Sequence, residues 1–193
     1  MSSINAETSL QEIAVLVSEA LADAKIPAVL GGGGAVTQYS NSEYMSKDLD
    51  FITVARNKVI APVVAKLGFQ PQGKDFVHAD SVYFIEFPPG PLSFGDRYID
   101  TSETTILDTK YGKLRIITPT QCVMDRLSWF IHHNDKQARQ QAILVAVHQE
   151  IDWDDVRSWT EAEGADLALV DEIRSAAEGK KSGENCPTSR PRS

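Results

Sequence analysis

The 193-residue sequence predicts an α+β fold, a mixed sheet with helices packed on it, followed by a helical C-terminal extension. Three observations lead there. Between Val29 and Val54 an apolar run enters the glycines Gly31, Gly32, Gly33 and Gly34, and a second apolar run opens with Lys47-Asp48-Leu49-Asp50. Between residues 76 and 117, short stretches rich in β-branched and aromatic residues are separated by turn residues, as strands are. From Thr118 onward the apolar period becomes helical. The expected division is an α/β core over 1–118, a helical part of the same compact unit over 119–178, and a disordered tail over 179–193.

Taken in order, the first element is a helix. Ser9 can cap it with Glu12 three residues on, and Leu10, Ile13, Ala14, Val17, Ala20, Leu21 and Ala24 recur at helical spacing. Pro27 ends it, so Ala28–Leu30 reads as the first strand and delivers the chain to the glycine turn. A short helix follows from Ala35 to about Ser40. After the second strand, Val59, Ile60, Val63, Val64 and Leu67 form a helical stripe that Gly68 stops, and Phe69–Lys74 turns the chain back. Phe76–His78 and Val82–Phe87 read as strands joined by Ala79-Asp80-Ser81, and Thr104–Leu107 with Lys113–Ile117 as a hairpin.

Pro88-Pro89-Gly90-Pro91 forbids regular structure and begins a loop to about Ile99 that can cover a site as a lid, with Asp96 and Arg97 as an internal ion pair or Arg97 as a phosphate contact. Thr118 or Thr120 caps the next helix, whose core stripe is Val123, Leu127, Phe130 and Ile131, and Arg126 lies off that stripe. Asn134-Asp135 starts a further helix. Trp153, Val156 and Trp159 mark another after Asp152.

Composition narrows the function classes. Hydrophobic content of 42% and charge of 24% suit a globular chain, and no run approaches the ~20 apolar residues of a membrane span. No basic-then-apolar leader opens the chain, and the cysteines Cys122 and Cys186 show no ligand spacing, so a cytoplasmic setting is expected. Residues 180–193 hold four basic and one acidic side chain, which leaves −11 on the body of a chain whose net charge is −8. A body this acidic repels polyphosphate backbones, and extended nucleic-acid binding is not expected.

The chemistry concentrates on the glycine turn and the two acids. On a strand, Asp48 and Asp50 project from one face while Leu49, Phe51 and Thr53 point to the other. Neighbouring carboxylates repel unless a cation neutralises them, and hard oxygen donors suit Mg²⁺ or Mn²⁺. Gly32 and Gly33 lack Cβ atoms and can bring backbone amides close to a phosphate. Glu86, on a strand face with Phe84 and Val82, needs a partner there unless it lies at a sheet edge in water. Arg126 presents a fork that can bind phosphate, or simply a solvated helix face. Adjacent His132 and His133 point roughly 100° apart on a helix and make no zinc site.

The order of strand, Gly-Gly turn, short helix and Asp-x-Asp strand resembles the nucleotidyltransferase superfamily of the polymerase-beta type. Gly32-Gly33-Gly34-Ala35 followed by Lys47-Asp48-Leu49-Asp50 is similar to small bacterial nucleotidyltransferase-like proteins, including relatives of abortive-infection toxins. The resemblance covers roughly residues 10–150. It implies a nucleotidyltransferase-type sheet and transfer of an NMP from a nucleoside triphosphate to a hydroxyl of RNA, protein or a small molecule. Asp48, Asp50 and, as the family's third carboxylate, Glu86 would be catalytic ligands of Mg²⁺ or Mn²⁺. Gly32, Gly33, Lys47, Arg126 and Lys136 would bind the nucleotide. A small antitoxin partner would fit the toxin-related branch. The alternative is a catalytically inactive nucleotide-binding or regulatory protein of the same fold. Many family members carry Gly-Ser where this chain has Gly32-Gly33, so one hydroxyl contact is missing. No Walker loop, dinucleotide fingerprint, nucleophile elbow or internal repeat is present.

Overall fold

The computed structural model describes residues 4–184. Helix α1 (Leu10–Asp23) opens the fold, capped by the Ser9 hydroxyl, which accepts from the Glu12 N–H. It leads through Pro27 to β1 (Val29–Gly31), and the next helix, α2 (Gly32–Tyr39), starts at once. Three glycines expected as a free turn are thus its first residues, with Gly31 as the N-cap. Then come β2 (Asp48–Ile52) and α3 (Asn57–Ala65), which buries Ile60 and Val64. Strands β3 (Gln70–Gln72), β4 (Asp75–Val77) and β5 (Phe84–Glu86) follow, then the short pair β6 (Ser93–Phe94) and β7 (Arg97–Tyr98). The hairpin of β8 (Thr105–Thr109) and β9 (Gly112–Ile116) completes the strands. Helices α4 (Pro119–His133), α5 (Lys136–His148), α6 (Trp153–Ala162) and α7 (Ala168–Glu184) end the described chain.

Seven strands form one mixed sheet in the order β3-β4-β5-β2-β1-β9-β8. Its central strands run β1 antiparallel to β2, β1 parallel to β9, and β2 parallel to β5. Helix α1 packs on β9 and β1, while α2 lies against β2, α4 and α5. The core is continuous: Phe51, Phe69, Leu30, Leu49, Ile85 and Leu114 are fully buried, as is Trp159 from the helical region. No helix among the described residues is long and apolar enough to cross a membrane.

Several expectations change. Gln70–Gln72, read as part of a turn, pairs with Asp75–Val77 as a hairpin through Gly73-Lys74, with Gly73 at φ +65°. The proline-rich loop contains the β6–β7 pair, because its residues find partners outside the loop. The Trp159 indole N–H donates to the Phe94 carbonyl (3.0 Å), a Glu163 carboxylate oxygen accepts from the Asp96 N–H (2.9 Å), and Arg97 pairs with Asp155 rather than Asp96 (2.6 Å). Three ties to α6 and its C-cap residue Glu163 anchor a segment expected to be a lid. Helix α7 continues through Glu184, past the point where a disordered tail was expected to begin, and residues 185–193, with Cys186, lie outside the described residues. The α4 cap is Thr118, in a capping box with Gln121. Its buried face widens from the expected stripe to Cys122, Val123, Met124, Arg126 and Leu127, since α5, α2, α6 and β6 all pack against it.

Candidate active site

The site is built from strand register. Asp48, Asp50 and Ile52 are half-buried on one face of β2, and Leu49 and Phe51 are buried on the other. The parallel pairing of β2 with β5 puts Asp50 beside Glu86, and the antiparallel pairings put Glu86 beside Asp75 and Asp50 beside Gly31. One row across four strands therefore reads Asp75, Glu86, Asp50, Gly31. Strand β5 is internal to the sheet, which removes the alternative of a sheet-edge Glu86 in water.

The glycine at the end of that row is required by its neighbour. Gly32 has φ +56°, and a Cβ there would lie 2.1 Å from Asp50 Oδ2. Gly32→Ala is expected to cost about 2–4 kcal/mol, from the left-handed backbone and the overlap together. The unfolding midpoint in urea measures it, and a wild-type midpoint would disprove the close fit. The Gly32 amide differs from its expected role of cradling phosphate: it donates to Asp125 Oδ2 (3.2 Å), tying the turn to α4.

Ser46, unmarked in the sequence, completes the turn. Its N–H donates to the Thr37 hydroxyl (3.0 Å), which donates to the Gly33 carbonyl (3.1 Å). The Ser46 hydroxyl donates to Asp48 Oδ1. A Cβ at Gly33 would lie 2.8 Å from Ser46 Oγ, so the room a serine would take at position 33 is filled by a hydroxyl from the β2 side. The Gly-Gly departure thus leaves a hydroxyl beside the acids.

These elements enclose a cavity of about 540 Å³, lined by Gly32, Gly33, Ser46, Asp48, Asp50, Lys74, Glu86, Asp125 and Arg126, with Tyr44 at one side. Trp129, Asp135, Gln137 and Gln141 from α4 and the start of α5 line its helical end. Arg126 is buried rather than on a solvated face. Its Nε and Nη2 donate to Asp125 Oδ2 (3.1 and 2.7 Å) and its Nη1 to the Gln141 side chain (3.3 Å). Burial works against its charge, but Asp125, Cys122 and Asp50 outweigh that and hold its pKa above the usual value. The charge of this arginine is balanced by Asp125.

Two expected nucleotide contacts do not line the cavity. Lys47 is exposed, because strand alternation turns it away from the Asp48–Asp50 face. Lys136 is exposed because α5 presents Gln137 and Gln141, four residues apart, to the cavity. The basic residue that does reach the acids is Lys74, whose Nζ donates to both oxygens of Glu86 (3.0 and 2.8 Å). His132 pairs with Glu163 and His133 lies on the Trp129 ring, both away from the acids.

Electrostatics bear on a cation at this position. Burial, then the charges of Asp48, Glu86 and Asp125, push the Asp50 carboxyl up to about 7, only partly offset by Arg126. Asp75 Oδ1, in the same row, is buried with no hydrogen-bond partner among the described residues. These carboxylates carry more negative charge than their neighbours neutralise, and hard oxygen donors suit Mg²⁺ or Mn²⁺. In donor type and register, Asp48, Asp50 and Glu86 fit such an ion. Among the described residues no three carboxylate, imidazole or thiol groups converge closely enough to hold a metal. Glu86 is turned to Lys74 and Asp48 to Ser46, so convergence requires those two side chains to turn inward.

No family model matches the chain, and no curated protein matches its sequence. Solved structures do. An antigenic nucleotidyltransferase-like protein from Paracoccidioides brasiliensis matches with a TM-score of 0.53 at 14% identity, over 74% of this chain and 77% of that one. ANT(2″)-Ia, in complex with adenylyl-2″-tobramycin, matches with a TM-score of 0.49 at 12% identity, over 89% and 97%. A solution structure of the antibiotic-resistance factor ANT(2″)-Ia gives 0.46 at 13% identity, over 91% and 94%. With β1, the glycine-initiated α2, the Asp-x-Asp strand and the P. brasiliensis likeness in agreement, the chain has the nucleotidyltransferase fold.

Proposed function

We propose that the protein is a metal-dependent nucleotidyltransferase that moves an NMP from a nucleoside triphosphate to a hydroxyl acceptor. The observation that carries this reading is the parallel β2–β5 register, which sets Glu86 beside Asp50, two residues from Asp48, in a cavity beside the glycine-initiated helix. A divalent cation held by Asp48, Asp50 and Glu86 would polarise the α-phosphate and lower the pKa of the acceptor hydroxyl. The residues of the chain supply the rest. Gly32 gives Asp50 its position, Ser46 orients Asp48, and the buried Asp125–Arg126 pair holds the cavity wall.

In the reaction, the acceptor oxygen forms a bond to the α-phosphorus as the bond from that phosphorus to the bridging oxygen breaks. Pyrophosphate leaves with the electron pair, and the hydroxyl proton passes to the Asp50–Glu86 pair. In this reading the phosphates would lie at the Gly33 turn and the acceptor at the end of the cavity lined by Trp129, Gln137 and Gln141. Five carboxylates and two cations line the cavity, an acidic balance that favours a compact hydroxyl acceptor over an extended nucleic-acid chain.

The test is transfer of α-labelled nucleotide, each of the four with Mg²⁺ or Mn²⁺, into a fractionated cell extract, with Asp50→Asn as control. Label with wild type alone supports the transferase and locates its acceptor class. The inactive reading has one observation in its favour, the Lys74 ammonium on Glu86. Metal-dependent nucleotide binding without transfer would decide for it.

A further inference from the structure

We infer that Lys74 is an exchangeable counter-ion of the site: it neutralises Glu86 while no metal is bound, and turns to the triphosphate when metal takes Glu86. The inference rests on the metal reading above and names a residue that the Asp-x-Asp pattern does not.

The geometry is specific. Lys74 sits at the tip of the β3–β4 hairpin, beside Gly73 at φ +65°, and reaches down to the third strand of the sheet. One ammonium engages both oxygens of Glu86, at 3.0 and 2.8 Å, and so occupies the ligand atoms a cation would need. The Glu86 side chain is 19% exposed and the Lys74 side chain 77% exposed. The acid is fixed on an internal strand while the base is a solvated, flexible stem, so the base is the partner free to leave. An exposed pair of this kind is weak and can be displaced by a divalent ion.

Charge accounting gives the second half. Among the described residues lining the cavity, the cations are Lys74 and Arg126, and Arg126 is balanced by Asp125. A triphosphate entering with metal on Glu86 therefore meets one cation newly released at the rim. A compact ammonium with rotatable donors on a four-carbon stem suits that exchange between carboxylate and phosphate.

The exchange predicts opposite effects of one substitution on two ligands. In Lys74→Met, Mn²⁺ alone, followed by electron paramagnetic resonance, should bind about two- to five-fold more tightly than in wild type, since no tethered cation competes. Inorganic triphosphate titrated in the presence of saturating Mn²⁺ should bind about ten-fold more weakly, from the loss of one charge-assisted contact. Lys74→Arg should restore triphosphate binding and weaken Mn²⁺ binding again. A merely structural lysine would move neither constant, or both the same way, and either result overturns the exchange. If wild type binds Mn²⁺ and Asp50→Asn does not, the metal reading stands whatever Lys74→Met does. If neither wild type nor Lys74→Met binds Mn²⁺, both readings fall.

Discussion

Asp50→Asn is expected to reduce nucleotidyl transfer by at least about a thousand-fold and, in the same molecule, to stabilise the metal-free fold. The two effects share one cause. Asp50 is half-buried beside Asp48 and Glu86, and burial with those charges raises its carboxyl from the ordinary 3.8 to about 7. A carboxyl whose folded-state pKa lies above its unfolded value favours the fold while protonated. That contribution is complete below about 3.8 and is lost as pH climbs through about 7. At pH 8 the ionised carboxylate therefore costs stability on the order of 2–4 kcal/mol, which the neutral amide avoids.

The measurement is urea unfolding of both proteins in chelator at pH 5, 6, 7 and 8. The difference in favour of the variant should already be present at pH 5, grow through pH 6 and 7, and level off toward pH 8. Adding Mg²⁺ should stabilise wild type, because a ligand that binds only the folded state shifts the equilibrium, and leave the variant unchanged. A variant less stable than wild type at pH 8 in chelator would sink the claim that these acids repel one another in the absence of metal. A stable and still active variant would remove Asp50 from the mechanism.

What could be read from the sequence follows the range over which each residue acts. The period of two placed Asp48 and Asp50 on one face, and the Ser9 and Thr118 caps and the hairpin ending at Ile116 are local features that need only their neighbours. Residues whose role depends on tertiary register were not legible. Lys74 reaches Glu86 only because β3 and β4 pair as a hairpin, and Gln70-Pro71-Gln72 lacks the apolar alternation that would announce a strand. Arg126 read as a helix-face cation because a stripe counted from apolar side chains ignores a guanidinium buried against an adjacent acid. Asp125 carried a signal in that adjacency, and Gln137 with Gln141 carried one in their spacing of four. Ser46 carried none, for its contact with Asp48 depends on where α2 delivers Thr37. Lys47, which adjoins Asp48, and Lys136, which only the family resemblance implies, stay out of the cavity because the period of each element turns them elsewhere.

The second large effect is expected at Asp125. Its Oδ2 accepts from the Gly32 N–H and from two nitrogens of Arg126, and the two side chains are 15% and 11% exposed. Removing one partner of a buried pair leaves the other charge uncompensated, so Asp125→Ala should cost about 3–5 kcal/mol. Asp125→Asn keeps an acceptor for Gly32 and loses the charge, and should cost about 1–3 kcal/mol. The double variant Asp125→Ala with Arg126→Met removes both charges and should recover most of the loss, to within about 1–2 kcal/mol of wild type, because the pair's own net contribution is small beside the penalty of breaking it.

Urea midpoints at constant slope measure all three. Equal losses in Asp125→Ala and the double variant would mean that the Gly32 contact, and not the arginine, is what Asp125 serves. The double variant also separates stability from chemistry. If Arg126 acts on the triphosphate as well as on the fold, the double variant should fold nearly as well as wild type yet bind inorganic triphosphate more weakly. If its charge is spent on Asp125, triphosphate affinity should survive the double substitution, leaving Lys74 and the metal to meet the phosphates.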